Sequence, residues 1–241
     1  MTKFIFDVDG TITPSRVKID EQFEKFFIEF CTKNKVYIAT GSDYSKTLEQ
    51  LGETICNTIQ RSYNCCGNSV WEKGMNVYNN KWKLENVPWH FLETKLIHNN
   101  FRPQTGWHFD ERPGLCNFSI VGRKATPAQR QRYVEWDTKY EDRKRIAAEF
   151  NNNFSKRFNI VAQIAGETGL DIIPIGKEKS QIAEDFDNNT VFFGDKIEEG
   201  GNDYPLACAI EQLGGVVHGV ESWEDTYKIL STKYNHVVLQ Q

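Results

Sequence analysis

The chain has 241 residues, with 29 Lys and Arg against 33 Asp and Glu and a formal net charge of −4. This length suits one large domain or two small ones, and 39% hydrophobic with 26% charged residues is typical of a globular fold rather than a disordered or fibrous one. The acidic balance argues against a general nucleic-acid or membrane-surface binder. The sequence opens without a signal-peptide pattern, and no apolar run reaches the ~20 residues that span a bilayer, so we expect a cytoplasmic protein with free thiols.

Strands and helices alternate at both ends of the chain, as in a parallel α/β sheet. In order, the predicted elements are a strand Lys3–Val8, a helix Glu21–Cys31, a strand Val36–Ala39, a helix Tyr44–Leu51, a helix Ser180–Asp185, a strand Thr190–Phe193, a helix Tyr204–Leu213 and a strand Val216–Val220. The first helix is indicated by Phe23, Phe26, Phe27 and Phe30, which recur at helical spacing and are expected to lie in the core.

The middle of the chain differs in pattern. The elements predicted there are strands at Leu115–Val121 and Ile160–Ile164 and, between them, one long polar helix, Pro127–Phe154. We therefore expect an α+β domain at 78–173, inserted into an α/β core of 1–77 and 174–241.

The charges are divided unequally between these two regions. Residues 78–173 contain 15 Lys and Arg and 11 Asp and Glu, a net charge of +4, whereas the rest of the chain contains 14 and 22, a net charge of −8. An acidic core suits a divalent cation and a basic insert suits phosphate. The division therefore favours an anionic substrate.

Asp7 and Asp9 lie in a D-x-D-G-T motif that follows the first predicted strand. Residues two apart on a strand project to the same side, so the two carboxylates are expected to be close. Crowded carboxylates repel, so that one stays ionised as a nucleophile while the other holds a proton as a general acid. This arrangement favours phosphoryl transfer through an aspartyl-phosphate, with Mg²⁺ to offset the charge of the phosphate.

Other polar groups are expected at the same edge of the sheet, because the carboxyl ends of parallel strands meet there. Asp195 follows a predicted strand and Asp203 follows two glycines, so both are candidate metal ligands. Thr40-Gly41-Ser42 ends another strand and supplies hydroxyl and N–H groups for phosphate oxygens. Lys179 precedes a helix and is a candidate to neutralise a phosphate.

The order of these motifs resembles the haloacid dehalogenase-like (HAD) superfamily, and more closely its eukaryotic-type phosphomannomutases. The resemblance is carried by residues 6–16, 41–52, 112–123 with Arg130, 166–179 and 192–203, and it is weakest over 53–110. It implies a HAD-like doubly wound parallel-sheet core with an inserted α+β cap domain. It also implies Mg²⁺, a sugar-phosphate substrate, hexose bisphosphate as an activator and a homodimer formed through the cap.

The resemblance implies a role for each matching residue. Asp7 would be the nucleophile, Asp9 the acid and base, and Lys179 the group that stabilises the phosphoryl group. The metal would be held by Asp7, the backbone carbonyl of Asp9, Asp195 and Asp203. The substrate would be held, alongside Thr40, Gly41 and Ser42, by Arg16, Arg112, Arg123, Arg130 and Asp171.

The sequence leaves three functions open. The leading one is a phosphomannomutase-like phosphohexomutase, which interconverts mannose 6-phosphate and mannose 1-phosphate through a bisphosphate and a phospho-Asp7 enzyme. It is favoured by Arg112, Arg123 and Arg130, since planar guanidinium groups suit the second phosphate that a mutase must hold. The second is a Mg²⁺-dependent sugar-phosphate phosphatase of the same fold, in which water takes the phosphoryl group. The third is a catalytically silent sugar-phosphate binding protein, against which the complete set of catalytic carboxylates argues.

Overall fold

The computed structural model describes residues 1–234, which form two compact units. The core unit comprises Met1–Asn79, Glu178–Glu199 and the chain from Asp203 onward, and the inserted unit comprises Asn80–Lys177 and Gly200–Asn202. The main inserted segment thus runs over 80–177 rather than 78–173, because the strand that ends at Asn79 pairs within the core sheet and the strand that ends at Pro174 pairs within the inserted sheet. The end of the expected core, 235–241, lies outside the described residues.

Strands and helices alternate along the core unit, and the mixed inserted unit interrupts this order in the sequence. In chain order the elements are β1 (Lys3–Phe6), α1 (Glu21–Lys33), β2 (Lys35–Ala39), α2 (Tyr44–Thr58), β3 (Arg61–Asn64), β4 (Ser69–Glu72), β5 (Met75–Asn79), α3 (Asn86–His98), β6 (Phe109–Arg112), β7 (Leu115–Phe118), α4 (Pro127–Tyr140), α5 (Asp142–Phe158), β8 (Ile160–Ala165), β9 (Gly169–Pro174), β10 (Thr190–Gly194), α6 (Tyr204–Gln212), β11 (Val216–Gly219) and α7 (Trp223–Lys233). Over the described part of the chain, none of these helices has the length and apolar character needed to cross a bilayer.

A seven-stranded sheet forms the centre of the core unit, in the order β11-β10-β1-β2-β3-β4-β5. The strands from β11 to β3 are parallel, and β4 and β5 add an antiparallel edge. This topology confirms the predicted α/β core. It also places the carboxyl ends of β1, β2 and β10 side by side, where ligands bind in open α/β sheets.

The two faces of β1 are both buried, as expected for a central parallel strand. Phe4 and Phe6 pack on one face in a cluster of aromatic side chains that includes, from α1, Phe23, Phe27 and Phe30. Ile5 points to the opposite face, because successive strand residues alternate, and packs there with Phe192 and Leu206. Full burial of each such side chain contributes about 1.5–3 kcal/mol, so the cluster holds the carboxyl end of β1 firmly in place.

The inserted unit is built on a four-stranded antiparallel sheet with the order β6-β7-β9-β8. Its core joins the sheet to the three helices α3, α4 and α5, through a cluster that includes Leu92, Tyr133 and Phe150 from the helices and Phe118 and Ile172 from the strands. This combination is the α+β insert that the sequence predicts.

Several predicted boundaries are wrong, and backbone conformation explains the main ones. The single helix expected over Pro127–Phe154 is two helices, because Glu141 adopts a left-handed φ of 50° and ends α4. The second helix continues past Leu51 to Thr58, with a kink at Gly52 where φ is 77°. The segment predicted as helix at Ser180–Asp185 is a 3₁₀ helix that begins at Lys179.

Candidate active site

Asp7 lies at the carboxyl end of the central strand β1. Its backbone N–H donates to the carbonyl of Phe193 at 2.9 Å, so the pairing of β1 with β10 continues up to this residue. Asp195 directly follows β10, and Asp203 stands at the start of α6. One carboxylate oxygen from each of Asp7, Asp195 and Asp203 lies within 4.8 Å of the other two. The fold therefore brings three of the sequence-predicted acids into one cluster.

Lys179 is buried against two of these carboxylates. Its Nζ donates to Asp7 Oδ1 at 2.7 Å and to Asp203 Oδ1 at 2.5 Å, and the lysine is 1% exposed. Burial alone would lower the pKa of Lys179, but Asp203 and Asp7 raise it above its ordinary value, so the ammonium stays charged. Burial and the charge of Asp203 raise the pKa of Asp7 well above its ordinary value, with Lys179 opposing. One ammonium thus links two acids that would otherwise repel each other.

The three-acid cluster fits a hard divalent cation. All three donors are carboxylate oxygens, the type of ligand that Mg²⁺ prefers. Burial raises the pKa of Asp195, and Lys196, whose Nζ lies 3.0 Å from Asp195 Oδ2, opposes this effect. When ionised, three acids face two lysines, so the cluster keeps a negative charge that a cation would balance.

Two glycines make room for these carboxylates. Gly10 adopts a φ of +83°, and a Cβ there would lie 2.5 Å from Asp195 Oδ2. A Cβ on Gly194 would lie 2.8 Å from Asp203 Oδ2. Contacts this short require the carboxylates to move, so neither position accepts a side chain without disturbing the cluster. Steric crowding therefore explains why glycine stands at these positions of the D-x-D-G-T and G-D motifs.

The Asp9 carboxylate has partners of its own and is not one of the three clustered acids. Its Oδ1 accepts from the backbone N–H of Arg16 at 2.7 Å and from Nε2 of Gln50 at 3.0 Å. Gln50 is buried and also donates to Thr13 Oγ1 at 2.9 Å. Arg16 is thus tied to Asp9 through its amide, and its side chain is exposed. The metal role expected of Asp9 concerns its backbone carbonyl rather than this carboxylate.

The loop Thr40-Gly41-Ser42 leads from β2 into α2, at the same sheet edge as Asp7. Thr40 is buried, and its Oγ1 accepts from the backbone N–H of Ser42 at 3.1 Å. This bond tightens the turn before Asp43, which caps α2 by accepting from the N–H of Lys46 at 2.8 Å. The Ser42 N–H, expected from the sequence to bind phosphate, is therefore already paired with Thr40.

A second polar cluster lies in the inserted unit and contains three of the predicted substrate residues. Asp110 Oδ2 accepts from Arg112 Nε at 3.0 Å, from Arg112 Nη2 at 2.7 Å and from Arg123 Nη2 at 2.7 Å. Asn117 Oδ1 accepts from Arg123 Nη1 at 3.1 Å, and Asn117 Nδ2 donates to Asp171 Oδ1 at 2.7 Å. We call this set of five residues the arginine cluster.

Burial and neighbouring charges act in opposite directions within the arginine cluster. Burial and the nearby Arg112 lower the pKa of Arg123, with Asp110 opposing. Burial raises the pKa of Asp171, with Arg112 and then Asn117 opposing. The predicted Arg130 adds a further charge that acts on Arg123, and its own Nη2 donates to the exposed Glu167 at 2.8 Å.

Sequence reasoning missed four residues of these two sites: Gln50, Asp110, Asn117 and Lys196. Asp110 could have been found, because it lies two residues before Arg112 on a strand and such residues project to one face. Asn117 and Lys196 lie within the matching motifs, but nothing in their spacing distinguishes them from surface residues. Gln50 acts across 41 residues of sequence from Asp9, and only the fold reveals such a contact.

Comparison with known proteins shows the family to which the chain belongs. The eukaryotic phosphomannomutase family model matches residues 23–236. The chain belongs to this family. It is 29% identical to a phosphomannomutase of Saccharomyces cerevisiae, over 97% of this chain and 94% of the relative. It is 30% identical to a phosphomannomutase of Spinacia oleracea, over 93% and 92%.

Solved structures support the same fold. The chain resembles a haloacid dehalogenase-like hydrolase from Bacteroides thetaiotaomicron with a TM-score of 0.58 and 12% identity, over 95% of this chain and 100% of that one. It resembles an IMP-bound, N-terminally truncated IMP-nucleotidase of Plasmodium falciparum with a TM-score of 0.65 and 13% identity, over 99% and 68%. At such identities the likeness concerns the fold alone. The predicted family and the HAD-like fold are confirmed.

Proposed function

We propose that this protein is a phosphohexomutase that interconverts mannose 6-phosphate and mannose 1-phosphate. The observation that carries the proposal is the group of Asp7, Lys179, Asp195 and Asp203 at the carboxyl end of β1, three of them buried, in a chain of the eukaryotic phosphomannomutase family. This group supplies a carboxylate nucleophile, a fixed positive charge and a set of oxygen ligands. Those three parts are what phosphoryl transfer through an aspartyl-phosphate requires.

Asp7 is the nucleophile in this proposal. Lys179 engages Oδ1, so we assign attack on phosphorus to Oδ2. The bond between phosphorus and the sugar oxygen breaks as the Asp7–phosphorus bond forms, and the departing sugar oxygen takes a proton from Asp9. The Asp9 carboxyl is held by Arg16 N–H and Gln50 through Oδ1, which leaves the proton to Oδ2. Asp9 then removes the proton from the free hydroxyl of a mannose monophosphate, and that oxygen attacks phospho-Asp7, so that the bisphosphate forms as the bond between Asp7 and phosphorus breaks. The bisphosphate returns its other phosphoryl group to Asp7 by the first step, which leaves the isomeric monophosphate.

Mg²⁺ would be held by Asp7, Asp195, Asp203 and the backbone carbonyl of Asp9. When bound, it would supply positive charge to the incoming phosphate. Lys179 contributes a further positive charge at Asp7, which opposes the rise that burial causes in the pKa of this carboxyl group. Gly10 and Gly194 keep the ligands close enough to share one cation.

The arginine cluster, with Arg130, would bind the phosphate that is not reacting. A mutase passes through a bisphosphate, so it needs a second phosphate site, and guanidinium groups match phosphate with paired hydrogen bonds. Asp171, linked to Arg123 through Asn117, would accept a hydrogen bond from the sugar. Arg16 and the Thr40-Gly41-Ser42 loop would contribute from the core unit.

The proposal extends to the setting in which the enzyme works. We infer that it acts in the cytoplasm on a soluble sugar phosphate, with no nucleic acid or membrane as partner. A hexose bisphosphate would activate it by phosphorylating Asp7. We expect a homodimer formed through the inserted domain, as the resemblance to the family implies.

Phosphorus NMR tests the proposal directly. The protein is incubated with Mg²⁺ and mannose 1-phosphate, with and without a catalytic amount of hexose bisphosphate. Mannose 6-phosphate that forms in dependence on the bisphosphate is the expected result. Steady release of inorganic phosphate without the isomer would identify a phosphatase instead, and no turnover of either kind would point to a binding protein.

A further inference from the structure

The arginine cluster is organised along a single rung of the inserted sheet. Asp110 of β6 pairs in register with Asn117 of β7, and Asn117 pairs in register with Asp171 of β9. Residues directly opposite each other on neighbouring strands project to the same face and lie within contact distance. Three polar side chains therefore stand in a row on one face, and Arg112 joins them because it lies two residues from Asp110 on β6.

The Asp110 carboxylate bonds to the guanidinium groups of both Arg112 and Arg123. One oxygen, Oδ2, accepts from Arg112 Nε, Arg112 Nη2 and Arg123 Nη2, at 3.0, 2.7 and 2.7 Å. The side chain of Asp110 is 27% exposed, whereas those of Arg112 and Arg123 are 12% and 18% exposed. The two partly buried guanidinium groups would repel each other without an anion, and this single carboxylate holds both.

Asn117 extends the same arrangement to Asp171. The buried amide accepts from Arg123 and donates to Asp171, so each end of the amide has a polar partner. Arg123 is therefore held on one side by Asp110 and on the other by Asn117. A guanidinium that is fixed in this way loses less conformational entropy when a ligand binds.

We propose that Asp110 is a positioning residue, which orients Arg112 and Arg123 for the phosphate that does not react. This inference rests on the proposed function, since it assigns a substrate role to the two arginines. Asp110 engages both guanidinium groups through one oxygen, Oδ2, and so fixes them relative to each other. It acts through the arginines and needs no contact with the substrate.

The test compares Asp110→Ala with the wild type and with Glu149→Ala. Glu149 pairs with Lys95 in the inserted unit and outside the arginine cluster, so its loss controls for the removal of an ion pair. We expect Asp110→Ala to raise the KM for mannose 1-phosphate by ~10-fold to ~100-fold, since a displacement of about 1 Å in a binding group has effects of that size. The kcat should change less, and Glu149→Ala should leave KM unchanged.

A double-mutant cycle shows whether Asp110 acts through the arginines. If it does, Asp110→Ala in an Arg112→Ala, Arg123→Ala background raises KM less than twofold further. Additive effects would overturn the proposal, as would an unchanged KM in the single variant. Asp110→Glu, which keeps the carboxylate, should recover part of the loss, and equal losses in the Glu and Ala variants would also count against it.

Nitrogen-15 NMR of the arginine side chains tests the positioning without turnover. In the wild type the Arg112 Nε–H should exchange slowly with solvent because Asp110 accepts from it, and in Asp110→Ala it should exchange rapidly. Inorganic phosphate, titrated as the probe, should bind the Ala variant at least ~10-fold more weakly. Unaltered exchange or unaltered phosphate binding would overturn the inference. The wild-type protein could lack mutase activity while Asp110→Ala still speeds the exchange of Arg112 Nε–H and weakens phosphate binding. That result would support the positioning role of Asp110 and reject only the proposed function.

Discussion

The two polar sites of this chain differ in burial and in charge balance. At the end of β1, Lys179 is 1% exposed and joins Asp7 and Asp203, which are 3% and 0% exposed. In the arginine cluster the side chains of Arg112, Arg123 and Asp110 are 12%, 18% and 27% exposed, and the two guanidinium groups face two carboxylates, those of Asp110 and Asp171. A fully buried group suits a reacting centre whose geometry must stay fixed, whereas partly exposed guanidinium groups suit a phosphate that binds and leaves. The predictions below test this difference.

The largest effect is expected for Asp7→Asn. The variant retains the shape of the side chain but removes the nucleophile, so turnover should fall by about a millionfold, as in other enzymes that lose their nucleophile. The variant should still fold, because the change removes one of three negative charges that repel one another. Steady-state assays and circular dichroism check both parts. Measurable mutase activity in this variant would remove Asp7 from the mechanism.

Lys179→Met should destabilise the core unit strongly. It leaves Asp7 and Asp203 buried beside each other without their shared ammonium, and the loss of one partner from a buried ion pair costs about 3–5 kcal/mol. The free energy of unfolding by urea measures this loss. Lys196→Met is the matched control, because the side chain of Lys196 is 47% exposed and its pair with Asp195 should be worth less than about 1 kcal/mol. Equal losses in the two variants would mean that burial does not distinguish them.

Gly10→Ala should be more harmful than Gly176→Ala, although both glycines have nearly the same φ. The φ values are +83° and +82°, so each Ala costs about 1–2 kcal/mol in backbone strain. A Cβ at Gly10 also meets Asp195 at 2.5 Å, whereas a Cβ at Gly176 has no heavy atom within 4 Å apart from those of Gly176 and its two chain neighbours. Thermal unfolding and activity assays of the two variants check the contrast. If both lose the same stability and activity, the steric role assigned to Gly10 is wrong.

Arg123→Ala should impair only reactions that need the second phosphate. A hydrogen bond to a charged group contributes about 1.5–3 kcal/mol, so use of the hexose bisphosphate should fall by ~10-fold to ~100-fold in kcat/KM. Hydrolysis of a small aryl phosphate, which has no second phosphate, should change little. Parallel kinetics with both substrates provide the measurement, and equal losses would argue against a phosphate site at the arginines.

The parallel centre of the core, made of β1, β2, β10 and β11, was predictable because its signals are local. Two apolar strands that end just before Asp7 and Asp195, together with the spaced phenylalanines of α1, indicate a parallel sheet. They also indicate the edge of that sheet at which the acids meet, and neither inference needs long-range information. The break between α4 and α5 was not predictable, because Glu141 is an ordinary helix former that adopts a left-handed conformation here. The elements from β3 to β6 were also missed, since this stretch lacks clear periodicity.

The candidate site was predictable in its charged groups and not in its hydrogen-bond partners. Asp7, Lys179, Asp195 and Asp203 meet as the motifs indicated, because strand ends converge in a parallel sheet. Gln50 beside Asp9 was missed, and the pairing of Ser42 with Thr40 was not foreseen, since both depend on side-chain positions that spacing does not specify.

Trapping of the phosphoenzyme tests the central claim most directly. The protein is mixed with Mg²⁺ and a hexose bisphosphate, treated with borohydride, which reduces an aspartyl-phosphate to homoserine, and digested with trypsin. The account predicts homoserine in place of Asp7 in the peptide Phe4–Arg16, with Asp9 unchanged and with no product in Asp7→Asn. An unmodified peptide from an enzyme that is turning over, or modification at Asp9, would contradict it.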